Sequence, residues 1–167
     1  MAGGLKEVRE RITSVQNTMQ ITSAMKMVAA AKLRRAQDAI TRMRPYAEKL
    51  QAVLSNVSAS LDSGEGVYSE KRDVKRVLLV AITSNRGLCG GFNNNIIKQV
   101  NNAIKQGGAE YHVLPLGKKA NDAFKKDASL APQGFGEDTW KIFDDLNFDA
   151  AQEVAEAIME QFRAGTY

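Results

Sequence analysis

Eleven residues near the middle of the chain, TSNRGLCGGFN from Thr83 to Asn93, hold most of what could do chemistry. They follow a short apolar run and precede an amphipathic one. In that setting backbone N–H groups at a helix start attract anions, and Arg86 could assist. The run RGLCGGFN is nevertheless neither G-x-G-x-x-G nor G-x-x-x-x-G-K-[ST]. No lysine follows the glycines, and no acid is placed for a ribose. Arg86, Gly87, Leu88, Cys89, Gly90 and Gly91 therefore read as a tight structural or subunit-contact loop rather than a phosphate cradle. Cys89, near a helix start, is a candidate nucleophile. The only histidine, His112, falls on a separate expected strand, so no base accompanies the thiol, and a small buried residue is expected there. One cysteine and one histidine cannot make a zinc site. Asp144, Asp145 and Asp149 read as helix-end charges on a solvated surface. No catalytic residue, metal or cofactor is expected.

The element that organises the chain is its first stretch. Apolar residues recur at alternating spacings of three and four from Leu5 through Val8, Ile12, Val15 and Met19 to Leu54, Val57 and Leu61. Seventeen positions hold fifteen apolar residues; Thr22 and Lys26 are the exceptions. This is a coiled-coil seam, and a strand, with its period of two, cannot produce it. A helix of this length spans about 85 Å, more than a small domain needs for its own core, so it must lie against something else. Pro45 is expected to bend it, although the seam resumes in phase at Ala47. The helix is expected to start near Leu5, after frayed residues 1–4, and to stop at Asp62-Ser63-Gly64-Glu65-Gly66.

Within that helix, ITSAMKMVAAAKL is apolar on nearly every side. A helix apolar all round is a buried one, and the plain reading is the core of a helical bundle. The charges argue otherwise. Residues 1–60 hold ten Lys or Arg and four Asp or Glu, a net of +6, within a chain whose net charge is +4. A basic shaft with an apolar waist suggests a surrounding partner that carries acidic groups. Ile21, Met25, Lys26, Met27, Val28, Lys32, Arg34 and Arg35 are the candidate contacts.

The remainder reads as an α/β module. A strand at Val77–Ile82, a helix at Asn93–Gln106, a strand at Tyr111–Leu116 and a helix at 118–126 are expected. A third strand within 129–135 and helices at 138–146 and 148–162 complete it. Alternation of this kind argues a parallel sheet covered on both faces. The expected division is 1–63 for the axle-like helix, 64–74 for a linker and 75–167 for the α/β domain. No run of about 18 apolar residues suggests a membrane span, and residues 1–12 resemble neither a secretory signal nor an import peptide. One cysteine fits a reducing compartment, and a pI near 9.2 allows an anionic partner.

Two stretches, SVQNTMQITSAMKMVAAAKLRRAQ (Ser14–Gln37) and TSNRGLCGGFN, resemble the gamma subunit of F-type ATP synthases, in that family's order. The resemblance implies a long coiled-coil helix followed by a Rossmann-like domain that binds no nucleotide. It implies a central-stalk rotor without catalytic residues of its own, which couples proton translocation to ATP synthesis or hydrolysis. Its partners would be the alpha and beta subunits of the catalytic ring, the epsilon subunit and the membrane c-ring. Lys32, Arg34 and Arg35 would lie near acidic loops of beta. The location implied is the cytoplasmic side of a bacterial inner membrane, bound peripherally. The family's chains continue beyond Tyr167 into further sheet and a carboxy-terminal helix that pairs with the first. A chain ending at Tyr167 is therefore expected to self-associate through its first helix, or to let that helix fray.

Two rivals remain on the residues alone. One is a non-enzymatic coiled-coil module whose basic helix binds nucleic acid or another anionic partner; it must explain a waist that is apolar where a groove-reading helix is basic. The other is a small nucleotide-dependent enzyme, which lacks the phosphate fingerprints.

Overall fold

An apolar residue at every third or fourth position, no glycine between Gly4 and Gly64, and a single proline make one helix of the amino-terminal region. In the computed structural model, which describes residues 2–60, 67–68 and 72–167, helix α1 runs Ala2–Ser60. It starts three residues earlier than the sequence suggests. It passes Pro45 without interruption, because a proline removes one backbone donor while the apolar stripe on either side stays in phase. Four threonines turn their hydroxyls inward: Thr13, Thr18, Thr22 and Thr41 each donate to the carbonyl four residues back, at 2.8–3.1 Å. The large seam residues are 45–68% exposed. The waist residues Ile21, Met25, Met27 and Val28 are exposed as well, so the all-round burial expected for them is not met within this chain. The last seam position, Leu61, the expected stop at 62–66 and most of the expected linker (64–66 and 69–71) lie outside the described residues.

The chain divides into two units, Met1–Asp62 and Ser63–Tyr167. The second is α/β. Strand β1 (Arg76–Ile82) and strand β2 (Glu110–Leu116) pair in parallel, with Arg76 opposite Glu110 and Ile82 opposite Leu116. Between them runs α2 (Phe92–Gln106), and β2 is followed by α3 (Lys118–Phe124). The core lies on one face of the sheet. Leu79, Ala81 and Val113 point there, and Ile97, Val100 and Ile104 of α2 meet Ala120 and Phe124 of α3 against them. On the other face, His112, Leu114 and Leu116 of β2 are buried. Tyr167 packs edge-on against His112 at 5.4 Å. Of the β1 residues on that face, Leu78 is half-buried and Val80 and Ile82 are exposed, so cover on both faces is complete for β2 and partial for β1.

Two sequence expectations fail here. Residues 129–135 form no strand; a 3-10 turn occupies Ala128–Leu130, closed by Asp127, whose carboxylate accepts from the Ser129 N–H. Pro132 has no N–H to give a ladder, and Gly134 sits at φ +81°, a region extended chain does not use. The sheet has two strands among the described residues. The stretch 138–146 is likewise one 3-10 turn, Thr139–Lys141, not a helix. Helix α4 (Phe148–Arg163) forms as expected, with the Asn147 side chain capping it by accepting from the Ala150 N–H at 2.8 Å.

Candidate functional site

The glycine-rich turn stands at the carboxyl ends of β1 and β2, where ligands of open α/β sheets commonly bind. Here the crevice is filled by the chain itself. Thr83, 2% exposed, accepts the Ala120 N–H on its hydroxyl at 2.8 Å. The Ser84 carbonyl takes the Lys119 N–H at 3.3 Å. Asn85 accepts the Lys118 N–H on its side-chain oxygen at 2.9 Å and donates its amide to Asp144 at 2.8 Å. The first three N–H groups of α3, the donors an incoming phosphate would need, are thus already bonded to Thr83, Ser84 and Asn85. Gly117 lets the strands close over them. It has φ +107°, its N–H donates to the Trp140 carbonyl at 2.9 Å, and a Cβ there would run into the Thr83 carbonyl.

The loop itself hangs on Asn93, the buried second residue of α2. Its side-chain oxygen accepts from the Ser84 N–H at 3.0 Å. Its amide donates to the Ser84 hydroxyl at 2.9 Å, the Arg86 carbonyl at 3.3 Å and the Cys89 sulfur at 3.1 Å. Cys89 is exposed, which corrects the expectation of a buried residue. The turn puts it on the outer surface, and its polar neighbours are Asn93 and Ser84, the latter at 3.8 Å. His112 lies three residues into β2, towards the opposite end of the sheet. Leu88 stands fully exposed with φ +62°, next to Gly90 at φ +61°. Arg86, Gly87 and Gly91 are exposed too. The motif was legible as a turn. The roles of Thr83, Asn85 and Asn93 as its internal ties were not, since each looks like an ordinary polar loop residue until α3 and the 138–146 segment are folded against it.

On α1 the expected contact residues fall into separate stripes. Ile21, Met25, Val28, Lys32 and Arg35 follow one another at spacings of four and three, so they share one face beside the seam. Met27 and Arg34, seven apart, share another, and Lys26 belongs to the seam. All are exposed. An apolar patch thus passes directly into a cationic one along a single line of the helix. Among the described residues no cluster of His, Cys, Asp and Glu could hold a metal ion, and no helix is long and apolar enough to cross a membrane.

A chain with one long helix exposed along its apolar stripe, joined to a small α/β unit whose ligand crevice is filled from within, has the build of an assembly subunit. Residues 4–167 match the ATP synthase family. The "ATP synthase gamma chain" of Flavobacterium psychrophilum is 53% identical over 165 residues, covering 98% of this chain and 56% of the relative. That of Flavobacterium johnsoniae is 54% identical with the same coverage. That of Heliobacterium modesticaldum is 43% identical, covering 98% of this chain and 54% of its own length. The chain belongs to the ATP synthase gamma-chain family, and it spans a little over half the length of these relatives.

Proposed function

We propose that the chain acts as part of a central-stalk rotor, coupling proton translocation through a membrane ring to ATP synthesis or hydrolysis in a ring of alpha and beta subunits. The observation that carries this reading is α1. Its 59 residues present an exposed apolar seam, and beside it the line Ile21, Met25, Val28, Lys32 and Arg35 offers a partner first an apolar and then a cationic surface. Rotation passes energy through contacts that differ between positions of the rotor, and a continuous helix is suited to transmit it. In this reading Ile21, Met25, Lys26, Met27, Val28, Lys32, Arg34 and Arg35 meet the catalytic ring, while Arg86 and Gly87–Gly91 serve structure or subunit contact. The domains act as an axle (1–63), a linker (64–74) and a Rossmann-like body (75–167). The chain contributes no catalytic residue, and the complex sits peripherally on the cytoplasmic side of a bacterial inner membrane, with the epsilon subunit and c-ring as further partners. Bacterial relatives named as gamma chains support that placement.

The test is Met25→Lys in the complete assembled complex. A new cation held against a partner's surface without an acid to meet it is costly. The expected result is fewer protons pumped per ATP hydrolysed, with assembly retained. An unchanged ratio in an assembled complex would overturn the assignment of this face.

A further inference from the structure

The stretch of chain that leads into β1 is fastened to the end of α4 before it reaches the sheet. The Tyr68 ring stacks on the Phe162 ring, with centroids 5.9 Å apart. Arg72 holds its guanidinium over the same ring at 4.7 Å and donates to the Phe162 carbonyl at 2.8 Å. Arg76, which opens β1, donates to the Gly165 carbonyl at 2.8 Å. Two cations thus come to the carboxyl end of α4, where the last carbonyls lack partners within the helix and carry partial negative charge. On an exposed surface each such contact is weak alone, but here they act together on residues 68–76. The turn they grip is itself tied inward. Gly165, at φ +71°, turns the chain out of α4. Tyr167 then sets its ring edge-on against the buried His112 of β2, and its hydroxyl accepts the Gln133 N–H at 2.7 Å.

Without these ties, a pull along the chain from α1 would reach the α/β unit at one place, the first residue of β1. That strand has a single neighbour among the described residues. With them, the pull is divided between β1 and the turn after α4, and through Tyr167 it reaches β2 and residue 133. We propose that Arg72 is a positioning residue that clamps the connecting stretch to Phe162, so that torque carried by α1 enters the α/β unit along both routes. The proposal rests on the rotor reading and names the point where the load is handed over. Phe162 is the seat of the clamp, because its ring takes both Tyr68 and Arg72 while its carbonyl takes the same guanidinium.

The test is made first in the complete assembled complex. Arg72→Ala should leave ATP hydrolysis in the presence of an uncoupler close to that of the unaltered complex. It should lower the proton gradient that hydrolysis sustains, because the clamp matters only under load. A merely structural role would lower the amount assembled and both activities together. Arg72→Lys keeps a cation over the ring and should restore most of the gradient. Phe162→Leu should lose gradient as Arg72→Ala does, and the double variant should lose less than the two losses added. Additive losses would overturn the pairing of ring and guanidinium. An assembled Arg72→Ala complex that sustains the unaltered gradient would overturn the proposal and leave the rotor reading standing. An unaltered complex that pumps no protons would overturn the rotor reading itself. The clamp can also be read in the purified whole chain. Arg72→Ala should speed amide hydrogen exchange about five-fold at Gly165 and Thr166, whose N–H groups bond to the Phe162 and Gln161 carbonyls. Exchange unchanged at both would show that Arg72 does not hold the turn.

Discussion

Asn93 ties the end of β1 to the loop beyond it with a single amide. Its carboxamide reaches Ser84, Arg86 and Cys89 from a position 8% exposed, so removing it cuts several ties between the loop and α2 at once. Asn93→Ala should lower stability by about 2 kcal/mol, read as a shift in the urea midpoint of the α/β unit followed by Trp140 fluorescence. Gly117→Ala should cost about 3 kcal/mol, because it adds both a disfavoured φ and a collision with the Thr83 carbonyl. Gly90 differs, since it shares a positive φ but has open space around it. Gly90→Val should therefore cost about 1–2 kcal/mol, and Gly90→Asn clearly less, since asparagine tolerates that conformation. An Asn variant as unstable as the Val variant would show that something other than backbone conformation is at stake.

Among the elements, those with a sustained pattern were legible before any coordinates. The alternation of three and four located α1, the run VLLVAI located β1, and Ile96, Ile97, Val100 and Ile104 announced an apolar face of α2, of which Ile97, Val100 and Ile104 reach the core. What failed was local and short. The segment 128–146 carries apolar residues without a period, and its course is set by Asp127, Pro132, Gly134 and the Asn85–Asp144 bond, none of which a pattern count weighs. Cys89 misled for a related reason: small and apolar by type, it is turned outward by its neighbours' conformations. Pro45 belongs at this scale too. It lacks the N–H that the turn before it would use, at a cost of up to about 3 kcal/mol. Pro45→Ala should raise the temperature at which the helical circular-dichroism signal of α1 is lost. No change would mean that the stability of α1 is set elsewhere.

For the molecule as a whole, charge is divided between its parts: residues 1–60 carry +6 and the rest −2, since the sum is +4. The α/β unit closes its own crevice, so ATP should not raise the melting temperature of the purified chain. A rise of several degrees would require donors that Thr83, Ser84 and Asn85 now occupy. That closure has a meaning for history as well as for binding. Folds of this kind ordinarily leave a vacancy where strands end, and new activities arise by filling it with borrowed molecules. Here the vacancy is mortared shut by three neighbouring residues of one loop, so no single substitution reopens it. If that test is silent, a member of the ATP synthase family carries a fold of this kind with no seat for the nucleotide in the family's name.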